Sequence, residues 1–139
     1  MEVAEGQRRL AVLWFCGGGI TTVILIIQSI SGYYGDKVSD AWSWLLPYVL
    51  PTLTLITSAV VADATKKTSN ITVDLFAYHS SFWLSVFYLL CLDVSLLAGN
   101  LTPYGPIQLM KMSVLWLGPL QGLIGIALGV FFVKRKSAK

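Results

Sequence analysis

Residues 112–136 read MSVLWLGPLQGLIGIALGVFFVKRK, and the fold is decided here. From Ser113 to Val133 no side chain is charged, and a helix of that length crosses the roughly 30 Å hydrocarbon layer of a bilayer. Gly118, Gly122, Gly125 and Gly129 recur at steps of four, three and four, so they line one helical face. A row of glycines lets a second backbone approach closely in lipid. Lys134, Arg135, Lys136 and Lys139 close the stretch and mark its end as the cytoplasmic one.

The rest of the chain agrees with this reading. The 139 residues are 55% hydrophobic and 12% charged, against roughly 25% charged in soluble domains. Four spans of about 20 residues use nearly the whole length, so a single domain is expected, with no room for a soluble catalytic or nucleic-acid-binding unit. The formal charge of +3 comes from short basic clusters beside apolar runs, the distribution of topology signals and not of a nucleic-acid surface. Cys16 and Cys91 form no CxxC pair, and their expected depths differ by roughly 15 Å along the helices, too far for a disulfide.

Working outward, an all-α membrane domain with spans over about 10–31, 44–62, 75–98 and 111–133 is expected. The first apolar run continues for about 20 residues after Arg8 and Arg9, longer than the core of a cleaved signal. Tyr33, Tyr34, Trp42 and Trp44 suit the headgroup layer. Pro47 and Pro51 each remove a backbone donor and predict a kinked, partly unwound outer half of the second span, and Pro119 predicts a kink in the fourth. Thr52, Thr54, Thr57 and Ser58 stand near the carbonyls freed in the second span.

Charge sets the orientation. With both ends inside, Arg8, Arg9, Lys66, Lys67, Lys134, Arg135, Lys136 and Lys139 are cytoplasmic and only Lys37 and Lys111 lie outside, a bias of eight to two. The expected location is the cell membrane, N-in and C-in. Asn70 and Asn100 begin Asn-x-Thr sequons, both too close to the bilayer to imply glycosylation.

Polar residues within the spans are the candidates for a polar path. In the first helix Gly18, Thr21, Gln28 and Gly32 share a stripe that should face protein, and Gly17 with Gly18 serves close packing. In the third, Asp74, Tyr78, Ser81, Ser85, Tyr88 and Ser95 form a heptad-like seam. Asp93 lies beside it, and a carboxylate inside a span is a functional candidate by default. Gln121 sits near mid-membrane in the fourth helix, where its amide needs partners. Pore-path candidates are therefore Gln28, Ser81, Ser85, Tyr88, Asp93 and Gln121. His79 is the only histidine and lacks partners at metal-ligand spacing. No catalytic constellation and no cofactor or metal motif is present, and Gly17-Gly18-Gly19 lacks the surroundings of a phosphate loop.

The chain resembles small multidrug exporters in length and span count, but the membrane-embedded glutamate of that family is missing; its glutamates are Glu2 and Glu5. Paired cysteines of a four-helix thiol oxidoreductase are absent, and the charge bias disfavours dual-topology channels. The expectation is a small non-enzymatic membrane protein whose partners are the bilayer and further copies of itself. Its leading role is to form or gate a pore, as in an effector triggered by a cytoplasmic or membrane protein. The alternatives are an accessory or scaffold subunit that anchors a partner protein, and a small transporter. Reporter fusions at either terminus should report the cytoplasmic side, and an external terminus would overturn the orientation.

Overall fold

The computed structural model describes residues 2–64, 72 and 74–132. Lys66, Lys67 and the basic tail from Lys134 lie outside the described residues. Four helices, each long and apolar enough to cross a membrane, account for nearly all of the described chain. They are α1 (Val3–Ile30), α2 (Val38–Ala64), α3 (Leu75–Leu97) and α4 (Pro106–Phe132), with single 3-10 turns at Gly35–Lys37 and Ala98–Asn100.

Three helices start earlier than the apolar runs alone predict. α1 begins at Val3 and not near Leu10, because Ala4, Glu5, Gln7, Arg8 and Arg9 are sound helix formers. Arg9 also pairs with Glu5 one turn back at 2.6 Å. α2 starts at Val38, running straight out of the preceding 3-10 turn, and α4 starts at Pro106, a residue pre-set for the first helical position. α3 starts at the expected place, with the Asp74 carboxylate accepting from the Phe76 N–H at 3.2 Å.

The expected unwound half of α2 is not observed. α2 is continuous helix through Pro47 and Pro51, as is α4 through Pro119. All three prolines are exposed. Pro47 and Pro51 lie four apart on one outward face, and the opposite face of α2 is held by Ala41, Trp44, Leu45, Val49, Thr52 and Ile56, all buried. Inward packing keeps the helix intact where the prolines remove donors. Thr57 donates to the Leu53 carbonyl at 2.7 Å, not to the carbonyls the two rings leave free.

The helices form two hairpins, α1–α2 and α3–α4, set side by side: α1 packs on α3 and α2 on α4, whereas α2 and α3 lie on a diagonal. The core fills with Leu10, Trp14 and Leu25 from α1, Leu45 and Ile56 from α2, Leu92 and Leu96 from α3, and Leu117, Ile124 and Leu128 from α4. The outside is equally apolar: Phe15, Ile27, Trp83, Phe87, Leu90, Val94, Leu115 and Ile126 are all exposed. Helices that are apolar all round suit a hydrocarbon surrounding.

At one end the start of α1 meets the end of α4, where the Gln7 side-chain amide donates to the Phe131 carbonyl at 2.6 Å. This satisfies one of the carbonyls that a last helical turn leaves without an N–H. Glu2 and Thr72 pair at the same end, ahead of α3. At the opposite end Gly99 lets the α3–α4 turn close: a Cβ there would stand 2.7 Å from the Cα of Pro106. Gly99→Ala should therefore destabilise the purified protein by about 1–3 kcal/mol, the usual cost of overpacking against backbone. Gly19→Ala should not destabilise, since among the described residues nothing outside its own helix lies within 4 Å of a Cβ there and alanine is the better helix former. Thermal unfolding in detergent checks the pair, and equal melting temperatures for the two variants would refute the packing assignment.

Candidate functional site

The polar seam of α3 faces the interior. Tyr78, Ser81, Ser85, Tyr88 and Ser95 are buried on the side carrying Leu92, and two of the hydroxyls turn back on their own helix. Ser85 donates to the Ser81 carbonyl at 2.8 Å and Ser95 to the Cys91 carbonyl at 2.7 Å.

Tyr88 does more. Its ring stacks on Trp14 of α1 with centroids 5.7 Å apart. Its hydroxyl meets the Tyr48 carbonyl of α2 at 3.1 Å and the side-chain amide of Gln121 of α4. A phenol has one proton and here faces two oxygens. Turning the Gln121 amide over resolves this: its N–H then donates to the phenol, and the phenol donates to the Tyr48 carbonyl, so one proton serves each contact. One side chain thus touches all four helices. The Trp14 indole N–H beside it is buried without a hydrogen-bond partner among the described residues.

Asp93 is half-buried at the α1–α3 contact, where its Oδ1 accepts from the Thr21 hydroxyl at 2.6 Å. Thr21 is fully buried, and its hydroxyl also lies 3.0 Å from the Gly17 carbonyl. Among the described residues Asp93 forms no ion pair. α2 and α4 are joined by Trp44, whose indole N–H donates to the Ser113 hydroxyl at 2.8 Å, with Ser113 donating to the Met110 carbonyl at 2.6 Å.

Gln28 belongs to the α1–α2 turn. Its Oε1 accepts from the Tyr34 hydroxyl at 2.6 Å, and Trp42 donates to Ser29 at 3.2 Å nearby. Gly32, at φ +76°, supplies the left-handed residue that this turn needs. Burial pushes the Tyr34 phenol well above its ordinary range, with the neighbouring Tyr33 adding to the shift, and burial raises Tyr33 as well. His79 is exposed, with Nδ1 2.7 Å from the Leu75 carbonyl. No group of three or more His, Cys, Asp or Glu side chains capable of holding a metal occurs among the described residues. Cys16 and Cys91 are free thiols.

The structure thus brings Tyr88 and Gln121 together, pairs Asp93 with Thr21, and leaves Gln28 apart in the turn. The glycines divide as well. Gly17 and Gly18 pack inside, a Cβ on Gly17 falling 2.6 Å from Leu89 and one on Gly18 falling 3.4 Å from Val49. Gly118, Gly122, Gly125 and Gly129 have no atom within 4 Å of a Cβ position. Among the described residues they pack against nothing beyond their own helix.

Sequence reasoning missed the inward role of Trp44 and Tyr34, reading both as headgroup anchors, although both are buried. The signal was present for Trp44: Ala41, Trp44, Leu45, Val49, Thr52 and Ile56 follow helical spacing. Gln7 and Ser113 went unnoticed because each needs a partner remote in sequence.

Comparison with protein-family models, with curated proteins and with solved structures gives no match for this chain.

Tyr88→Phe should cost about 1–2 kcal/mol, because the phenol leaves Gln121 and the Tyr48 carbonyl short of a partner. Ser95→Ala removes only a bond to its own helix and should cost no more than about 0.6 kcal/mol. Denaturation in mixed micelles reads both, and an equal loss would deny Tyr88 its central place.

Proposed function

We propose that this chain is a non-enzymatic integral membrane protein, N-in and C-in, that acts as a self-associating anchor subunit. The observation that carries the reading is the outward glycine row of α4, open along Gly118, Gly122, Gly125 and Gly129. It lies one residue round the helix from the buried row Leu117, Ile124 and Leu128, a turn of about 100°. Without side chains, such a row admits a neighbouring helix at short range, where packing and Cα–H contacts can drive association in lipid. The orientation rests on charge: Arg8 and Arg9 stand at the end where the first helix starts and the last one finishes.

The interior favours an anchor over a conduit within one bundle, since Tyr88, Gln121, Trp44, Ser113 and Thr21 are engaged with each other or with backbone. A second reading, a pore formed or gated by the assembled protein, is favoured by one observation: Asp93 holds a carboxylate within a span with a single hydroxyl for a partner among the described residues.

Reconstitution separates the two. Gly125→Leu should reduce the protein to monomers in nanodiscs while leaving its melting temperature unchanged, because leucine suits lipid but blocks backbone approach. An unchanged oligomer would sink the glycine contact. For the anchor reading, wild-type liposomes should pass no cations; flux that falls with both Gly125→Leu and Asp93→Asn would replace it with the pore.

A further inference from the structure

At the charged end of the bundle a groove of about 570 Å³ runs between α1 and α3, lined by Glu5, Arg8, Arg9, Val12, Leu13, Tyr78 and Phe82. We infer that this groove binds one anionic glycerophospholipid, its phosphate held by Arg8 and Tyr78 and an acyl chain laid along Val12 and Phe82.

Depth comes first. α1 has 28 residues, so it is about 42 Å long, roughly 12 Å more than the hydrocarbon layer. The uncharged stretch Leu10–Ile30 fills that layer, which leaves Arg8 and Arg9 among the phosphates. Tyr78 comes to the same depth, since α3 starts at the same end and Tyr78 lines the groove with both arginines.

Chemistry follows. Glu5 holds Arg9 in an exposed pair at 2.6 Å, and Arg8 has no ion pair among the described residues, so the groove keeps one uncompensated positive charge. Tyr78 is 5% exposed, packs its ring against His79 and Phe82, and has no hydrogen-bond partner for its hydroxyl among the described residues. A guanidinium beside a free phenolic donor suits a phosphodiester.

The order of polar and apolar groups selects a lipid over a soluble anion. Val12 lies one turn beyond Arg8, and Phe82 one turn beyond Tyr78, both toward the membrane interior. Both walls therefore pass from charged or hydroxyl to apolar in the same direction, as a phospholipid does from head to tail. Basic grooves between spans on the cytoplasmic side are where anionic headgroups bind.

The test uses the full-length protein in detergent, titrated with phosphatidylglycerol, with phosphatidylcholine, and with inorganic phosphate, with bound lipid counted by native mass spectrometry. Phosphatidylglycerol should bind at one site and raise the melting temperature, with phosphatidylcholine weaker and phosphate without effect. Arg8→Gln should weaken phosphatidylglycerol about fivefold, the loss of one interfacial charge. Tyr78→Phe, which keeps the ring and hence the packing, should weaken it by about tenfold or more, the loss of a bond to a charged acceptor. Lys111→Gln, at the far end, should leave it unchanged. Equal affinity for the two lipids, unchanged affinity in the Arg8 and Tyr78 variants, or full competition by inorganic phosphate would each overturn the proposal.

Discussion

Tyr88 is the point on which the bundle closes. In hydrocarbon, apolar surface gains little by leaving lipid for protein, so shape and the few interior polar groups must decide how the helices meet. The Tyr88 ring lies on Trp14, and its hydroxyl reaches α2 and α4. The other interior contacts each join a pair: Thr21 with Asp93 joins α1 to α3, Trp44 with Ser113 joins α2 to α4, and Gln7 with Phe131 fixes the end. Every pair of packed helices, those within a hairpin included, is thus tied by at least one side-chain hydrogen bond. Within the first hairpin, Gln28 and Ser29 hold the turn.

Element number and type were legible because charge-free runs of membrane length leave few choices. Their ends were not. Apolarity reports the depth a helix occupies, whereas helix length follows backbone propensity, which carries α1 back to Val3 through a polar segment and α4 back to Pro106. The α3 seam was legible from spacing. The direction of the α4 glycines was not, since rows 117/121/124/128 and 118/122/125/129 have the same steps. Volume settled it: a core packed to native density takes Leu117, Ile124 and Leu128, and a glycine row cannot fill that space. Pro47 and Pro51 misled because their effect depends on the face they occupy, and both face outward.

The candidate polar path was read from residue type, and type does not distinguish a wall of water from a helix clasp. Serines that bond their own helix and a tyrosine that bonds two others are the same letters in the chain. What separates them is which acceptor lies within about 3 Å, a property of the assembled bundle. Gln28 shows the converse: of its stripe Gly18 and Thr21 are buried but Gly32 is exposed, and the partner of Gln28 is Tyr34, six residues on.

The side-by-side placing of the hairpins bears on how the protein is made. α1 and α2 leave the ribosome first and can settle their turn at once, since Tyr34, Gln28, Trp42 and Ser29 all lie within it. Thr22, Ser29 and Thr57 likewise bond carbonyls four residues back. The Trp44 indole has no such local recourse, because its acceptor is Ser113, 69 residues later. In a membrane the first hairpin would hold a bare indole donor until the second is synthesised beside it. Quality control in the membrane would meet this protein at that half-made stage, and a chain truncated before α4 would carry an unmet polar group as a mark for removal.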